Sequence, residues 1–319
     1  MNLENKKILV TGGAGFVGSN LVKALAETYK ADVTVMDDLF TGNRGFLKGI
    51  KHEFIHGSVS DYNIVEELVK KADIVFHLAA RNIIVSNSNP REDLEVNVIG
   101  TFNILEACKQ HGIERLIYTS TASVYGSPKT LPISEDSSKE FLSFYSASKF
   151  SGEVYCQTFY EVFNVPVAIV RYSNVFGYNQ LPLNPYCGVI GKFIESSIAG
   201  LPIKIHGDGE QTRDYTFIAD AVEATISAAI VPRAIGQIYN IATGAETSVK
   251  NLAIIINSLT GSQSPLEYID KRDIDNIRKR YLNIDKIRHE LKFSPLTGLE
   301  TGLSKTIEWY KEYLYANPQ

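Results

Sequence analysis

The sequence predicts an α/β protein: a doubly wound parallel sheet with a smaller, discontinuous α+β lobe. Short β-branched runs alternate with helical patterns up to about residue 175, a glycine-rich turn follows the first run, and the rhythm breaks after Asn174. Repeated strand–helix units need crossover connections, which lay helices on both faces of a parallel sheet.

The runs Ile8 to Val10, Val33 to Met36, Asp73 to Leu78, Leu116 to Thr119 and Val167 to Val170 read as strands, because near-continuous apolar stretches suit a sheet covered on both faces. Helices are expected between them at about 15–28, 61–70, 91–111 and 145–163. Then come a loop with Pro182 and Pro185, a helix near 188–199, the turn-rich Gly207-Asp208-Gly209 and a helix near 219–231. Gln237 to Ala242 reads as a strand rejoining the sheet, and the remainder as mostly helical. The main domain is thus expected over 1–175 plus about 215–245. A second lobe, over 176–214 plus 246–319, is expected to close over the sheet's carboxyl edge.

Composition narrows the class. The 319 residues are 44% hydrophobic and 21% charged, ordinary for a globular protein of one large domain or two. A net charge of −4 without any lysine- or arginine-rich run disfavours nucleic acid as a partner. Cys108, Cys156 and Cys187 are too few and scattered for a disulfide framework or zinc cluster, and read as free thiols in a reducing compartment. His52, His56, His77, His111, His206 and His289 lack metal-ligand spacing, so no metal is expected. With neither a signal segment nor a run of about 20 apolar residues, the protein is expected in the cytoplasm with no membrane partner.

Two motifs carry chemistry. In Thr11-Gly12-Gly13-Ala14-Gly15-Phe16-Val17-Gly18-Ser19, glycines 12, 15 and 18 follow a strand and open a helix. Gly12 permits the tight turn, Gly15 lets backbone approach a pyrophosphate, Gly18 lets helix pack on strand, and the helix N-terminus holds the anion. Asp37, at the end of the next strand, can accept hydrogen bonds from an adenosine ribose. Asp38 beside it adds charge that repels a 2′-phosphate, favouring NAD over NADP. Far downstream, Tyr145 and Lys149 in Y-S-A-S-K share one helix face, where an ammonium can stabilise a tyrosinate and make the phenol a usable acid and base. Joined to a dinucleotide turn, the pair points to an enzyme that moves hydride.

With these motifs stand Asp37-Asp38-Leu39, His77-Leu78-Ala79-Ala80, the run from Val96 to Thr101 (V-N-V-I-G-T), the run from Tyr118 to Gly126 (Y-T-S-T-A-S-V-Y-G), Arg171 to Gly177 (R-Y-S-N-V-F-G) and Gly207 to Tyr215 (G-D-G-E-Q-T-R-D-Y). In this ordered set the chain resembles, over nearly its whole length, the extended short-chain dehydrogenase/reductase family, and within it the nucleotide-sugar epimerases typified by UDP-glucose and UDP-N-acetylglucosamine 4-epimerases.

The resemblance implies a Rossmann domain and a role for each matching position. Gly12, Gly15, Phe16, Val17 and Gly18 would cradle NAD, and Asp37, Asp38, Leu39, Thr41 and Gly42 would surround its adenosine ribose. Ser58 and Val59 would meet the adenine, where the family commonly has an aspartate in place of Ser58. Leu78, Ala79 and Ala80 would line the cofactor, with Asn97 bracing the sheet edge, and Thr119, Tyr172 and Val175 would lie near the nicotinamide. Thr121, Tyr145 and Lys149 would form the catalytic set. Thr121 and Tyr145 would also touch the sugar together with Asn174, Val189, Lys192, Lys204 and His206, while Arg213, Arg272 and Asp275 would hold its diphosphate and ribose.

On this reading Tyr145, directly or through Thr121, takes a sugar hydroxyl proton, Lys149 lowers the phenol's pKa, and a 4-keto sugar forms and is reduced from its other face. Related 4,6-dehydratases and decarboxylases usually have an acidic residue just after the strand-end hydroxyl, where this chain has Ala122 and Ser123. Epimerisation at carbon 4 of a UDP-sugar is therefore the leading expectation, with a 4-keto reductase or dehydrogenase and a dehydratase or decarboxylase as alternatives. Apolar stripes on the helices at about 91–111 and 145–163 exceed what one sheet face needs, and in relatives such a pair forms the seam of a homodimer.

Overall fold

The computed structural model describes residues 1–181, 188–271 and 277–316. The first half alternates as expected: β1 (Lys7–Thr11), α1 (Phe16–Lys23), β2 (Asp32–Asp37), β3 (Glu53–His56), α2 (Tyr62–Val69) and β4 (Ile74–His77). After the short α3 (Ile83–Ser88) and α4 (Pro90–Asp93), a π-helical turn at Leu94–Ile99 leads into α5 (Gly100–His111). Next come β5 (Arg115–Thr121), α6 (Phe144–Phe163) and β6 (Val167–Tyr172). Then β7 (Asn174–Phe176), α7 (Val189–Ile198), β8 (Ile203–His206), β9 (Thr212–Arg213), β10 (Tyr215–Phe217) and α8 (Ile218–Ile230) lead to β11 (Ile238–Ile241), which returns to the large sheet.

That sheet has seven strands, all parallel, in the order β11-β6-β5-β4-β1-β2-β3. Because successive side chains point to opposite faces, Ile8, Val10, Val33, Val35 and Phe76 enter one core, with Leu21 and Val22 of α1. Leu9, Met36, Val75 and Leu116 enter the other, with Ile104 of α5 and Phe159 of α6. Burial on both sides is why these strands read as unbroken apolar runs.

Helix ends follow local chemistry. Ser143 and Ser146 form a reciprocal capping box at the start of α6, which ends at Asn164 in the left-handed region. Asp61 caps α2 by accepting from the amides of Asn63 and Ile64.

Two expectations need correction. β3 is absent from the apolar runs because Glu53 and His56 face solvent on a four-residue edge strand. The end of the chain is not simply helical: besides α9 (Val249–Thr260), α10 (Asp285–Leu291) and α11 (Leu299–Ala316) it holds β12 (Thr247–Ser248), β13 (Leu266–Ile269) and β14 (Lys279–Arg280). These strands are too short, and β13 too exposed, to show a period. They pair with earlier segments, β12 and β14 with β9 and β13 with β8, so these strands of the two stretches are knitted together. Pro182, Pro185, Cys187, Arg272 and Asp275 lie outside the described residues.

The sheet order reverses between β1 and β4, since the chain runs outward through β2 and β3 and then restarts at β4 in the other direction. A crevice opens beyond the carboxyl ends of strands at such a reversal, and the candidate site lies there.

Candidate active site

The floor of the crevice is the turn after β1. Gly12 sits at φ +69°, and a Cβ there would come within 2.7 Å of the Ala79 amide nitrogen, so the turn is packed against the end of β4 as only glycine allows. A Cβ on Gly18 would meet the Gly12 carbonyl oxygen at 2.1 Å, which fixes how closely α1 approaches the turn. Gly15 precedes α1 without any side-chain cap, leaving the first-turn amides available to an anion. Above them is a cavity of about 340 Å³, lined by this turn and by residues at the ends of β2 to β6 and on α6.

Asp37 lines one end, buried at 6% exposure. Its carboxylate accepts from the Ala14 amide at 2.9 Å and the Leu39 amide at 2.8 Å. Burial lifts its pKa above the usual carboxylate range, while those two amides and Arg81 oppose the rise. Leu39, at φ +59°, and Gly42, whose Cβ would fall 2.5 Å from Asp37 Oδ1, shape the loop around this carboxylate but do not line the cavity. Asn97 also stands behind the wall: its side chain accepts from the Arg81 amide at 2.7 Å and donates to the Arg81 carbonyl at 3.1 Å and to Asp93 at 2.7 Å.

His77 explains why the stretch after β4 holds its shape. Thr101 Oγ1 donates to the Asn97 carbonyl, so it accepts from His77 Nε2 at 3.0 Å. His77 Nδ1 then accepts from Thr11 Oγ1 at 2.8 Å, and that hydroxyl accepts from the Ala79 amide. Burial, with Lys149's charge adding, pushes the imidazole's pKa down to about 3, so it is neutral.

Tyr145 and Lys149 line the other end. Burial pushes the phenol up to about 12, a hydrogen bond with Thr121 acting in the opposite sense. Lys149, 2% exposed, is pushed down to about 8 by burial, and its Nζ lies 4.3 Å from the centroid of the Tyr118 ring. The expectation that Lys149 lowers the phenol's pKa is therefore corrected: desolvation dominates both groups, and the lowering influence on Tyr145 is Thr121. Thr121 also caps the turn after β5, accepting from the Ser123 amide at 3.1 Å and donating to the Ser123 hydroxyl at 3.2 Å.

The NAD dependent epimerase/dehydratase family matches residues 8–242. The chain belongs to that family. A putative UDP-glucose 4-epimerase of Methanocaldococcus jannaschii is 37% identical to it over 307 residues, 95% of this chain and 98% of that protein. A UDP-N-acetyl-alpha-D-glucosaminuronate decarboxylase of Bacillus cytotoxicus is 36% identical over 326 residues, 96% of this chain and 98% of that one. The solved structure of an epimerase from Methanothermobacter thermautotrophicus matches with a TM-score of 0.94 at 34% identity, covering 98% of this chain and 94% of that one. Near-equal identity to an epimerase and a decarboxylase leaves the choice of reaction to the site.

The crevice suits the family's NAD: an uncapped helix start above a glycine turn for the diphosphate, a buried carboxylate at one end for a ribose, and a phenol and an ammonium at the other. Besides the glycine turn, the epimerase/dehydratase cavity takes Asp38, Thr41, Ser58, Val59, Leu78, Ala79, Ala80, Thr119 and Tyr172 from the sequence reading. It adds Met36, Gly57, Arg81, Asn82, Val96 and Ser120. Arg81 directly follows the Leu78-Ala79-Ala80 stretch, and Val96 and Ser120 stand in two of the runs quoted from the sequence; Met36, Gly57 and Asn82 are brought in by the fold.

Of the residues expected to touch the sugar, Tyr145 lines this cavity, while Thr121 and the others that are described stand outside its lining, as does Val175 from the cofactor set. Asn174 and Val175 lie on β7, paired to β10. Val189 and Lys192 lie in the first turn of α7, and Lys204 and His206 on β8, where His206 Nδ1 meets the Asp270 carbonyl at 2.8 Å. Arg213, 7% exposed on β9, donates from Nη1 to the carbonyls of Thr212 and Ile277 at 2.8 and 2.7 Å. Its neighbour Asp214 accepts from the Thr243 and Gly244 amides, fastening the start of the 246–319 segment beside β9. No metal-holding group of His, Cys, Asp and Glu occurs among the described residues. None of their helices is long and apolar enough to cross a membrane.

Proposed function

We propose that this enzyme epimerises a UDP-hexose or UDP-N-acetylhexosamine at carbon 4 through a transient 4-keto sugar. One observation carries the reading: the residues that follow Thr121 are Ala122 and Ser123, neither of them a carboxylic acid, and Ser123 is tied to Thr121, its amide donating to and its hydroxyl oxygen accepting from Thr121 Oγ1. A dehydratase or decarboxylase needs a further acid or base beside the sugar, and the carboxylates of this cavity, Asp37 and Asp38, belong to its opposite end.

When bound, NAD supplies the reversible hydride acceptor at one sugar carbon. The first-turn amides of α1, from Phe16 to Gly18, would hold its diphosphate, Asp37 its adenosine ribose, and Lys149 the ribose next to Tyr145. Tyr145 carries the proton that moves to and from the sugar oxygen, and Thr121, whose hydroxyl lowers the pKa of that phenol, relays the proton or orients the sugar hydroxyl. Burial of Lys149 strengthens the field its ammonium exerts on the sugar oxygen. Segments 176–214 and 246–319 form the nucleotide-sugar lobe, in which the buried Arg213 would lie near the diphosphate. Binding strength placed on the nucleotide leaves the hexose free to turn between the two halves of the reaction. The active form is a homodimer built on α5 and α6.

The test is incubation with UDP-, dTDP-, GDP- and CDP-sugars, read by proton NMR in deuterated water. The expected product is the C4 epimer of a UDP-sugar without deuterium at carbon 4 and with no change in total reduced cofactor. Net accumulation of reduced cofactor would replace this reading with the oxidoreductase, and loss of water or carbon dioxide with the dehydratase or decarboxylase.

A further inference from the structure

β2 and β4 are not neighbours; β1 lies between them, and its end opens into the glycine turn. An ion pair nevertheless joins the two flanking strand ends across that turn. Arg81, beyond β4, places Nη2 2.7 Å from Asp38 Oδ2, just beyond β2. Its Nε reaches Glu92 at 2.6 Å, and its guanidinium carbon lies 4.1 Å from the centroid of the Phe40 ring. The Arg81 main chain is clamped on both sides by the Asn97 side chain. The guanidinium is thus fixed in place, its side chain 11% exposed, at the end of the cavity that also holds Asp37.

A rigid guanidinium beside an adenosine-ribose carboxylate is what recognition of a ribose 2′-phosphate requires, since its planar fork matches phosphate oxygens. Here Asp38 and Glu92 already occupy two of its donor positions. We propose that Arg81 is a masked 2′-phosphate site and that Asp38, helped by Glu92, is the mask. The preference for NAD then rests on two carboxylates that neutralise a basic group already in position, as well as on Asp37. Asp38 therefore acts by occupying Arg81 rather than chiefly by direct repulsion, which its partner largely cancels. The inference is independent of which sugar the enzyme converts.

Holoenzyme is equilibrated with equal excesses of NAD and NADP and desalted, and both dinucleotides are quantified after denaturation. Asp38→Asn keeps the acceptor for the Phe40 amide while removing the charge, and should raise the NADP-to-NAD ratio by about tenfold or more, as one released charge-assisted contact allows. Glu92→Gln, farther from Asp37, should move the ratio the same way by less. Adding Arg81→Ala to Asp38→Asn should return the ratio to that of the unaltered enzyme, and Arg81→Ala alone should lower it, because Asp38 is then unneutralised. An unchanged ratio in both single carboxylate variants overturns the proposal. So does a double variant that keeps the gain, because repulsion by Asp38 would then be the whole effect.

Discussion

Lys149 is sealed at 2% exposure with its pKa held near 8, against 10.5 for a free lysine. The unfolded chain keeps this proton up to about 10.5 and the folded chain only to about 8. Folding is therefore opposed below 10.5, with the full penalty, ~3 kcal/mol, in force at neutral pH. Lys149→Met should raise the unfolding free energy by ~1–3 kcal/mol at pH 7 and abolish turnover, read by urea denaturation beside a sugar-conversion assay. A destabilised methionine variant would show that the ammonium is structural. His77 acts in the same sense at lower pH, because its pKa is about 3 folded and 6.5 otherwise. It leaves stability untouched above 6.5 and removes ~1.4 kcal/mol per unit as pH falls from there toward 3. Urea midpoints at pH 7.5 and 5.0 should therefore correspond to a loss of ~2 kcal/mol, and His77→Gln should flatten most of that slope. An equal slope in the variant would assign the acid sensitivity elsewhere.

At the scale of elements, α6 carries both Tyr145 and Lys149, and its position depends on a buried ion pair one turn further along. Arg171 of β6 donates to both oxygens of Glu153, at 2.9 and 2.6 Å, and each side chain is 1% exposed. Ser120 of β5 donates to the same carboxylate at 2.5 Å, and Arg171 also reaches the Tyr125 hydroxyl at 2.8 Å. Helix and two strands are thereby locked behind Thr121. Glu153→Ala should cost ~3–5 kcal/mol, because it strands a buried guanidinium, while Glu153→Leu with Arg171→Met should recover much of the loss. A single variant within 1 kcal/mol of the unaltered protein would contradict the lock. Neither this network nor Arg81's ion pair was legible in the sequence, although Arg171 stood in a recognised run. Both join elements whose adjacency follows from strand order, which no local spacing reveals. What could be read was what one segment decides by itself: glycines that only a tight turn explains, strands apolar on both faces, and a Tyr–Lys pair at helical spacing. Tyr145 and Lys149 do line one cavity, yet the spacing gave the wrong cause for the phenol's pKa, because desolvation depends on everything packed around it.

For the molecule as a whole, the parallel sheet brings the groups that line the cavity to one edge, while the helices on its flank leave apolar surface that no described element covers. Phe102 of α5 makes edge contacts with Tyr155 and Phe159 of α6, at centroid distances of 5.5 and 5.6 Å, and Phe159 continues to Phe163 at 5.4 Å. This aromatic row is only half buried at its outer side: Tyr155 is 40% exposed, Phe163 45%, and the neighbouring Ile99 and Val162 47% and 60%. A contiguous apolar row on two packed helices is self-complementary under a two-fold axis, which would close a four-helix seam and bury it. Sedimentation equilibrium at micromolar concentration should accordingly find a dimer. Val162→Asp, at the most exposed of these positions, should weaken association by about 100-fold or more, since an unpaired carboxylate would have to be buried in the seam. The folded monomer should survive, because that side chain makes little contact within its own chain. Should the unaltered protein sediment as a monomer, the row needs another occupant; should Val162→Asp remain dimeric at the same strength, the seam lies on a different face.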